Sequence, residues 1–204
     1  MVDLLGGNRY VTFLRSWEGG TSSKQTDYAK KCHTGIHTVK GITFCTFQYL
    51  APNLNYNDFV SMDDVLWNNL YNKYYTNSSW SIDLLKELKD KYPLVAFNIL
   101  ESAWMRGAVR AESDWSKYLR KWRNYGEENI TPNMILYSFI NETTNYNSLL
   151  KMMYYNRRQI YLDIGGANVK GWMNRLNSLY YYFAPKEVNE SLGILKSSRK
   201  VEGL

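Results

Sequence analysis

Between residues 8 and 17, Tyr10, Phe13, Leu14 and Trp17 recur at spacings of three, four and seven, which places them on one helical face. The same alternation of apolar stripe and polar face returns along most of the chain. "SMDDVLWNNLYNKYY" (61–75) opens on Ser61 as a helix cap, with Asp64 three residues on as a variant capping box. Ser81 caps "IDLLKELKDKY", and Pro93 starts "PLVAFNILESAWMRG", where a first-turn proline loses no hydrogen bond. Further helices are expected through "SDWSKYLRKWRNY", from Thr131–Pro132 through "PNMILYSFIN", and through "NSLLKMMYYNRRQIYL" as far as Gly165 and Gly166. In "VKGWMNRLNSLYYYF" the residues Val169, Trp172, Met173, Leu176, Leu179, Tyr180 and Phe183 form one stripe. Past Pro185 the pattern turns polar, and a frayed tail over 186–204 is expected.

Residues 19–43 break this rhythm. "GGTSSKQTDYAKKCHTGIHTVKGIT" has no helical period and reads as a loop with a short β-hairpin. The expected class is therefore mainly α, a helical bundle with one small β element. A long irregular segment in a compact chain is usually functional or disordered, so the residue at its border carries weight. That residue is Glu18, at the carboxyl end of the first helix and directly before Gly19 and Gly20, two natural terminators able to take positive φ. The partial negative charge of a helix C-terminus opposes a carboxylate there, and Trp17 lowers local hydration; both favour the protonated acid. A protonated carboxyl group is what general-acid cleavage of a glycosidic bond requires. The plain alternative is a solvated surface glutamate. Asp27 follows nine residues later, with Thr34, Thr38 and Thr43 beyond it. Together they suggest an acid, a base and a holder for the attacking water.

Composition narrows the classes. The 204 residues carry 18 Tyr and a net charge of +6; aromatic faces with polar tips suit sugar stacking and ordinary interfaces alike, and the charge fits either a plain basic protein or one with an anionic partner. No stretch approaches the roughly 20 apolar residues of a membrane span, so no stable membrane insertion is expected. "MVDLLGGNRY" lacks a basic start and a long apolar core, so no signal peptide is expected and synthesis is placed in the cytoplasm. Cys32 and Cys45 are the only cysteines; two do not make a disulfide framework, and of the two readings, a single pair or free thiols, a chain made without a leader favours reduced thiols. Cys32, His33, His37 and Cys45 have donor chemistry for zinc but poor spacing, so no metal and no cofactor are expected. "KYLRKWRNY" (117–125) mixes cations and aromatics as single-strand binders do, yet reads more simply as a solvated basic face over a buried one, so no nucleic-acid partner is expected.

"FLRSWEGG" (13–20) followed by "GIHTVKGITFCTF" (35–47) resembles the phage and prophage N-acetylmuramidases of glycoside hydrolase family 108. Their signature is E-G-G, then an Asp, a Gly-rich turn with Thr, and a G-I-T segment. "NRRQIYLDIGGANVKGWMNRLNSL" resembles the G-W-x-N-R-x-N ending of the predicted peptidoglycan-binding region that accompanies that family, so the likeness runs over roughly 8–183. It implies a lysozyme-like fold with the hairpin beside the cleft, and cleavage of the β-1,4 bond between N-acetylmuramic acid and N-acetylglucosamine. It implies Glu18 as general acid, Asp27 and Thr38 as catalytic partners, and Gly19, Thr43 and Trp104 as substrate contacts. The implied organisation is a catalytic region over 1–92, a helical wall-binding region packed on it over 93–185, and the tail. The implied partners are peptidoglycan glycan strands and other virion proteins, with a holin or a virion bringing the enzyme to the cell wall. The family's Asp-Pro-Gly-Gly turn is replaced here by the longer "DYAKKCHTGIHT", which makes Thr34 a rival to Thr38, and the second-half Asp is Glu101. The competing class is a non-catalytic virion or wall-binding protein on the same scaffold.

Overall fold

A computed structural model describes residues 8–24, 28–123, 126 and 129–204. The chain is mainly helical with one small antiparallel sheet, as the sequence pattern implies. It divides into two compact units, Met1–Ser78 and Ser79–Leu204.

In the first unit, α1 (Asn8–Trp17) buries Tyr10, Phe13 and Leu14 from its expected face. Three two-residue strands follow: β1 (Thr21–Ser22), β2 (Thr38–Val39) and β3 (Ile42–Thr43), in the spatial order β1-β2-β3. A short 3₁₀ turn, Tyr28–Lys31, lies between β1 and β2. The β2–β3 connection is the two-residue loop Lys40-Gly41, flanked by the pair Val39↔Ile42. Both loop residues have positive φ (46° and 80°), as in the type I′ turn whose twist suits a hairpin. Val39 and Ile42 face the core, and Thr38 and Thr43 take the other face by alternation.

Two short helices not evident in the sequence pattern come next. α2 (Phe44–Leu50) is capped by Thr43, whose hydroxyl accepts from the Thr46 amide at 3.2 Å. α3 (Tyr56–Val60) is closed by a capping box between Asn55 and Asp58. Phe44, Phe47, Tyr56 and Phe59 pack ring on ring beneath them. α4 (Asp64–Thr76) begins at Asp63, whose carboxylate accepts from the Leu66 amide at 2.7 Å. The cap is thus Asp63 and not Ser61: Ser61 closes α3 instead, donating to the Asn57 carbonyl.

The second unit holds α5 (Ile82–Lys91), α6 (Pro93–Arg106), α7 (Ala108–Arg123), α8 (Pro132–Ile140), α9 (Tyr146–Ile164), α10 (Val169–Phe183) and α11 (Lys186–Leu192). Ser81 and Thr131 cap α5 and α8, and Pro93 opens α6, as expected. α5 packs on α6 and α8, so it belongs to this unit and the division falls at Ser78–Ser79 rather than at 92–93. α6 is buried along Leu94–Ala103 and packs against α5, α7 and α9. In α7, Tyr118 and Leu119 are inside while Lys117, Arg120 and Lys121 face solvent, which is the amphipathic reading of "KYLRKWRNY". From the α10 stripe, Leu176, Leu179 and Tyr180 are fully buried.

The expected frayed tail is structured. α11 packs on α9, with Val188, Ile194 and Val201 buried. The following segment is held to α10 by polar side chains: Tyr182 Oη donates to the Arg199 carbonyl and accepts from the Val201 amide, each at 3.0 Å, and Ser197 Oγ donates to Ser178 Oγ at 2.8 Å. Widely spaced apolar residues among many polar ones gave no periodic signal.

Candidate active site

Glu18 is the residue directly after α1, and its amide still donates to the Leu14 carbonyl at 3.1 Å. The helix therefore aims the side chain from a fixed point. The carboxyl group lies over Gly41 of the hairpin turn: a Cβ on Gly41 would stand 2.7 Å from Glu18 Cδ and 3.1 Å from Cγ. Gly41 is thus glycine for two reasons, its positive φ and the side chain resting on its α-carbon. The E-G-G and K-G-I-T segments, more than twenty residues apart in the chain, meet at this contact.

The turn itself is pinned from three sides. The Lys40 amide donates to the Gly20 carbonyl at 3.1 Å, and the indole of Trp67, fully buried on α4, donates to the Lys40 carbonyl at 2.9 Å. Lys40 Nζ reaches Asp64 at 2.9 Å, and Arg15, one turn before Glu18, also pairs with Asp64 while its guanidinium lies 5.8 Å from the Trp67 ring centre. Sequence reasoning missed Arg15, Gly41, Asp64 and Trp67. The available signal was the Lys-Gly dipeptide between β-branched Val39 and Ile42, a tight-turn pattern.

Gly19 and Gly20 behave differently from the expectation. Neither takes positive φ, and a Cβ on either would meet nothing within 4 Å. The fold does not demand glycine there; what the two residues do is keep the backbone beside Glu18 bare. Ser22, Thr38 and Thr43 stand in one row across the sheet, since Ser22 pairs with Thr38 and Thr38 with Thr43. Thr38 Oγ1 lies 3.3 Å from His37 Nδ1, and the buried His37 is fixed by the Lys24 carbonyl at 3.2 Å from Nε2. Thr43 Oγ1 is 2.9 Å from Thr46 Oγ1 besides capping α2, so its first role is structural. Thr34 is exposed. Asp27 lies outside the described residues. Trp104 stands half-buried on α6, in the other unit from Glu18.

The cysteines correct the expectation of reduced thiols. Cys32 and Cys45 form a disulfide that ties the loop after the 3₁₀ turn to α2. A leaderless reading predicted compartment, not geometry, and the fold brings their α-carbons to 5.2 Å. With both thiols consumed, the four-residue zinc donor set does not exist. His33 instead stacks on Tyr56, ring centres 3.9 Å apart. Among the described residues no group of His, Cys, Asp and Glu is arranged to hold a metal ion, and no helix is long and apolar enough to cross a membrane.

In the second unit, Glu101, which the resemblance sets against the second-half Asp of family 108, is a core element. Glu101, on α6, is buried between Arg157 of α9 and Arg175 of α10, with Arg175 Nε donating to it at 2.6 Å and Arg157 donating both to it and to the Tyr161 hydroxyl. Burial pushes the Glu101 carboxyl pKa up, but the two guanidiniums more than offset this and hold it below the usual carboxylate range. The Arg of the quoted "GWMNRLN" segment is therefore a partner in a three-helix ion cluster.

Compared with known proteins, the chain matches no family model, no curated protein and no solved structure.

Proposed function

We propose that the chain is a peptidoglycan glycosidase of the muramidase type, cleaving the β-1,4 bond between N-acetylmuramic acid and N-acetylglucosamine, with Glu18 as general acid. One observation carries this reading: the Glu18 carboxyl group is held at a helix end against the Gly41 turn, next to a stretch of bare backbone at Gly19 and Gly20. A carboxyl group seated against a turn and beside open space is the arrangement a proton donor to a bound sugar needs. The order of the motifs, shared with family 108, supports the same chemistry.

In the proposed reaction Glu18 gives its proton to the glycosidic oxygen as the C1–O bond breaks. Charge develops on the sugar ring, water attacks C1, and a base takes the proton that water loses. Asp27 is assigned as that base and Thr38 or Thr34 as the holder of the water. Gly19, Thr43 and Trp104 keep their assignment as sugar contacts, Thr43 through whatever hydrogen-bonding capacity its capping role leaves. Delivery to the wall by a holin or a virion belongs to the same proposal. A non-catalytic wall or virion role has one feature in its favour: the loop over 28–38 is rebuilt around the disulfide and departs from the family's turn.

Digestion of purified peptidoglycan with mass analysis of new reducing ends tests the reading. N-acetylmuramic acid ends are expected. Glu18→Gln keeps the shape but has no proton to give and should lose about 10²–10⁴-fold in rate. Asp27→Asn should lose most of the rate with sugar binding near normal. N-acetylglucosamine ends, new free amines, or a Glu18→Gln variant above a tenth of wild-type activity would overturn the assignment.

A further inference from the structure

The segment expected to fray builds one wall of a cavity of about 590 Å³ in the second unit, between the end of α10, α11 and residues 194–204. The volume lies within the range of small-ligand sites. We infer that this cavity is a binding site for an acidic saccharide, separate from the Glu18 site and formed by Tyr181 and Tyr182 at the end of α10 together with residues beyond the part of the chain that resembles family 108.

Four observations point the same way. First, Tyr181 lines the cavity and stays 42% exposed, while its neighbour Tyr182 stands edge-on to it at 5.2 Å. Tyr182 uses its hydroxyl to hold the Arg199–Val201 backbone, so the pair is fixed before any ligand arrives. An open aromatic face with a polar tip suits the apolar C–H face of a sugar ring. Second, Lys186 and Lys200 stand in the lining, and both are exposed. Their ammonium groups suit a carboxylate, and their stems leave the heads mobile enough to close on it.

Third, Glu190 lies in the same lining, 3.5 Å from Lys186. A carboxylate accepts from ring hydroxyls and N-acetyl N–H groups, and its pairing with Lys186 keeps it from facing the ligand as an isolated charge. Fourth, Asn189 lines the cavity and is 8% exposed; its amide nitrogen donates to the Tyr180 carbonyl at 3.0 Å, yet its amide oxygen is buried and accepts no hydrogen bond in the structure. The bond to the Tyr180 carbonyl ties α11 to the end of α10 and fixes the polar side of the lining. Aromatic face, cations and acceptors together match a sugar carrying both an acid and an amide. The identification of that sugar as N-acetylmuramic acid rests on the proposed muramidase function; the class, an acidic saccharide, does not.

Titration calorimetry with the full-length Glu18→Gln protein tests this, the variant preventing turnover of the probe. The probes are the peptide-free disaccharide of N-acetylglucosamine and N-acetylmuramic acid, glucuronic acid oligomers, neutral chitotriose, and a short single-stranded oligonucleotide. Saturable binding of an acidic probe, weakened at least tenfold by Tyr181→Ala and by Lys200→Glu while circular dichroism is unchanged, supports the site. Preference for the muramic disaccharide over the glucuronic oligomers identifies the wall as the source; the reverse preference supports the class and assigns another acidic polysaccharide. No saturable acidic-saccharide binding, equal affinity for chitotriose, preference for the oligonucleotide, or binding untouched by both substitutions overturns it. Reducing-end analysis with the Tyr181→Ala single variant keeps the two readings apart: the site can bind whether or not wild-type protein cleaves the wall.

Discussion

Gly41→Ala is the sharpest probe of how Glu18 is held. Two separable costs follow from the structure. The backbone at Gly41 has φ of 80°, and an L-residue in the left-handed region costs roughly 1–2 kcal/mol. The added methyl group would also stand 2.7 Å from Glu18 Cδ, so the carboxyl group must retreat by about 1 Å to reach ordinary van der Waals contact. Displacement on that scale in a reacting group costs on the order of 10²-fold in rate, or about 2.7 kcal/mol of barrier. On the proposed role of Glu18 as general acid, the expected result is a modest fall in denaturation midpoint with a much larger fall in peptidoglycan cleavage. Gly41→Asn separates the terms, because Asn tolerates positive φ but still carries the Cβ. It should keep most of the stability and still lose the rate. A readout independent of activity is the Glu18 side-chain carboxyl resonance in ¹³C-labelled protein, assigned by its loss in Glu18→Gln. It should shift in both Gly41 variants. If both variants cleave at the wild-type rate and the resonance stays in place, the turn does not position Glu18 and the reasoning fails.

The disulfide closes a loop with a sequence separation of 13, so replacing both Cys32 and Cys45 by Ser should destabilise the first unit by about 3 kcal/mol; an unchanged guanidinium midpoint against the oxidised protein would refute this. Glu101→Gln leaves two buried guanidiniums facing a neutral group and should cost about 3–5 kcal/mol in the second unit, read by chemical unfolding. The Glu101 carboxyl pKa is depressed in the folded protein, so its contribution is present above the ordinary carboxylate pKa and is lost as pH falls through the lower folded value. Wild type should therefore lose an increment of stability on acidification that Glu101→Gln lacks, and parallel pH profiles would argue against the cluster.

Local rules set much of this architecture before any packing is considered. The stripe at Tyr10, Phe13 and Leu14, the caps at Ser81 and Thr131 and the proline at 93 depend on neighbours within a turn or two, so helix positions in the chain were legible from sequence. The same holds for the break after Glu18; the Lys-Gly turn, whose positive φ values are a property of a two-residue loop, carried a local signal that the reading of 19–43 as a loop with a short hairpin did not use. What the sequence did not carry were meetings between distant residues. Glu18 on Gly41, Trp67 under Lys40, Cys32 with Cys45 and Glu101 between two arginines each join elements that no spacing rule relates. The tail was misjudged for the same reason: Val188, Ile194 and Val201 are too scattered to show a period, and become a core only when α9 and α10 supply the other side. Periodicity reports how one element divides inside from outside. Which insides touch is decided by the packing of whole elements, and the site chemistry proposed for this chain is built from those contacts.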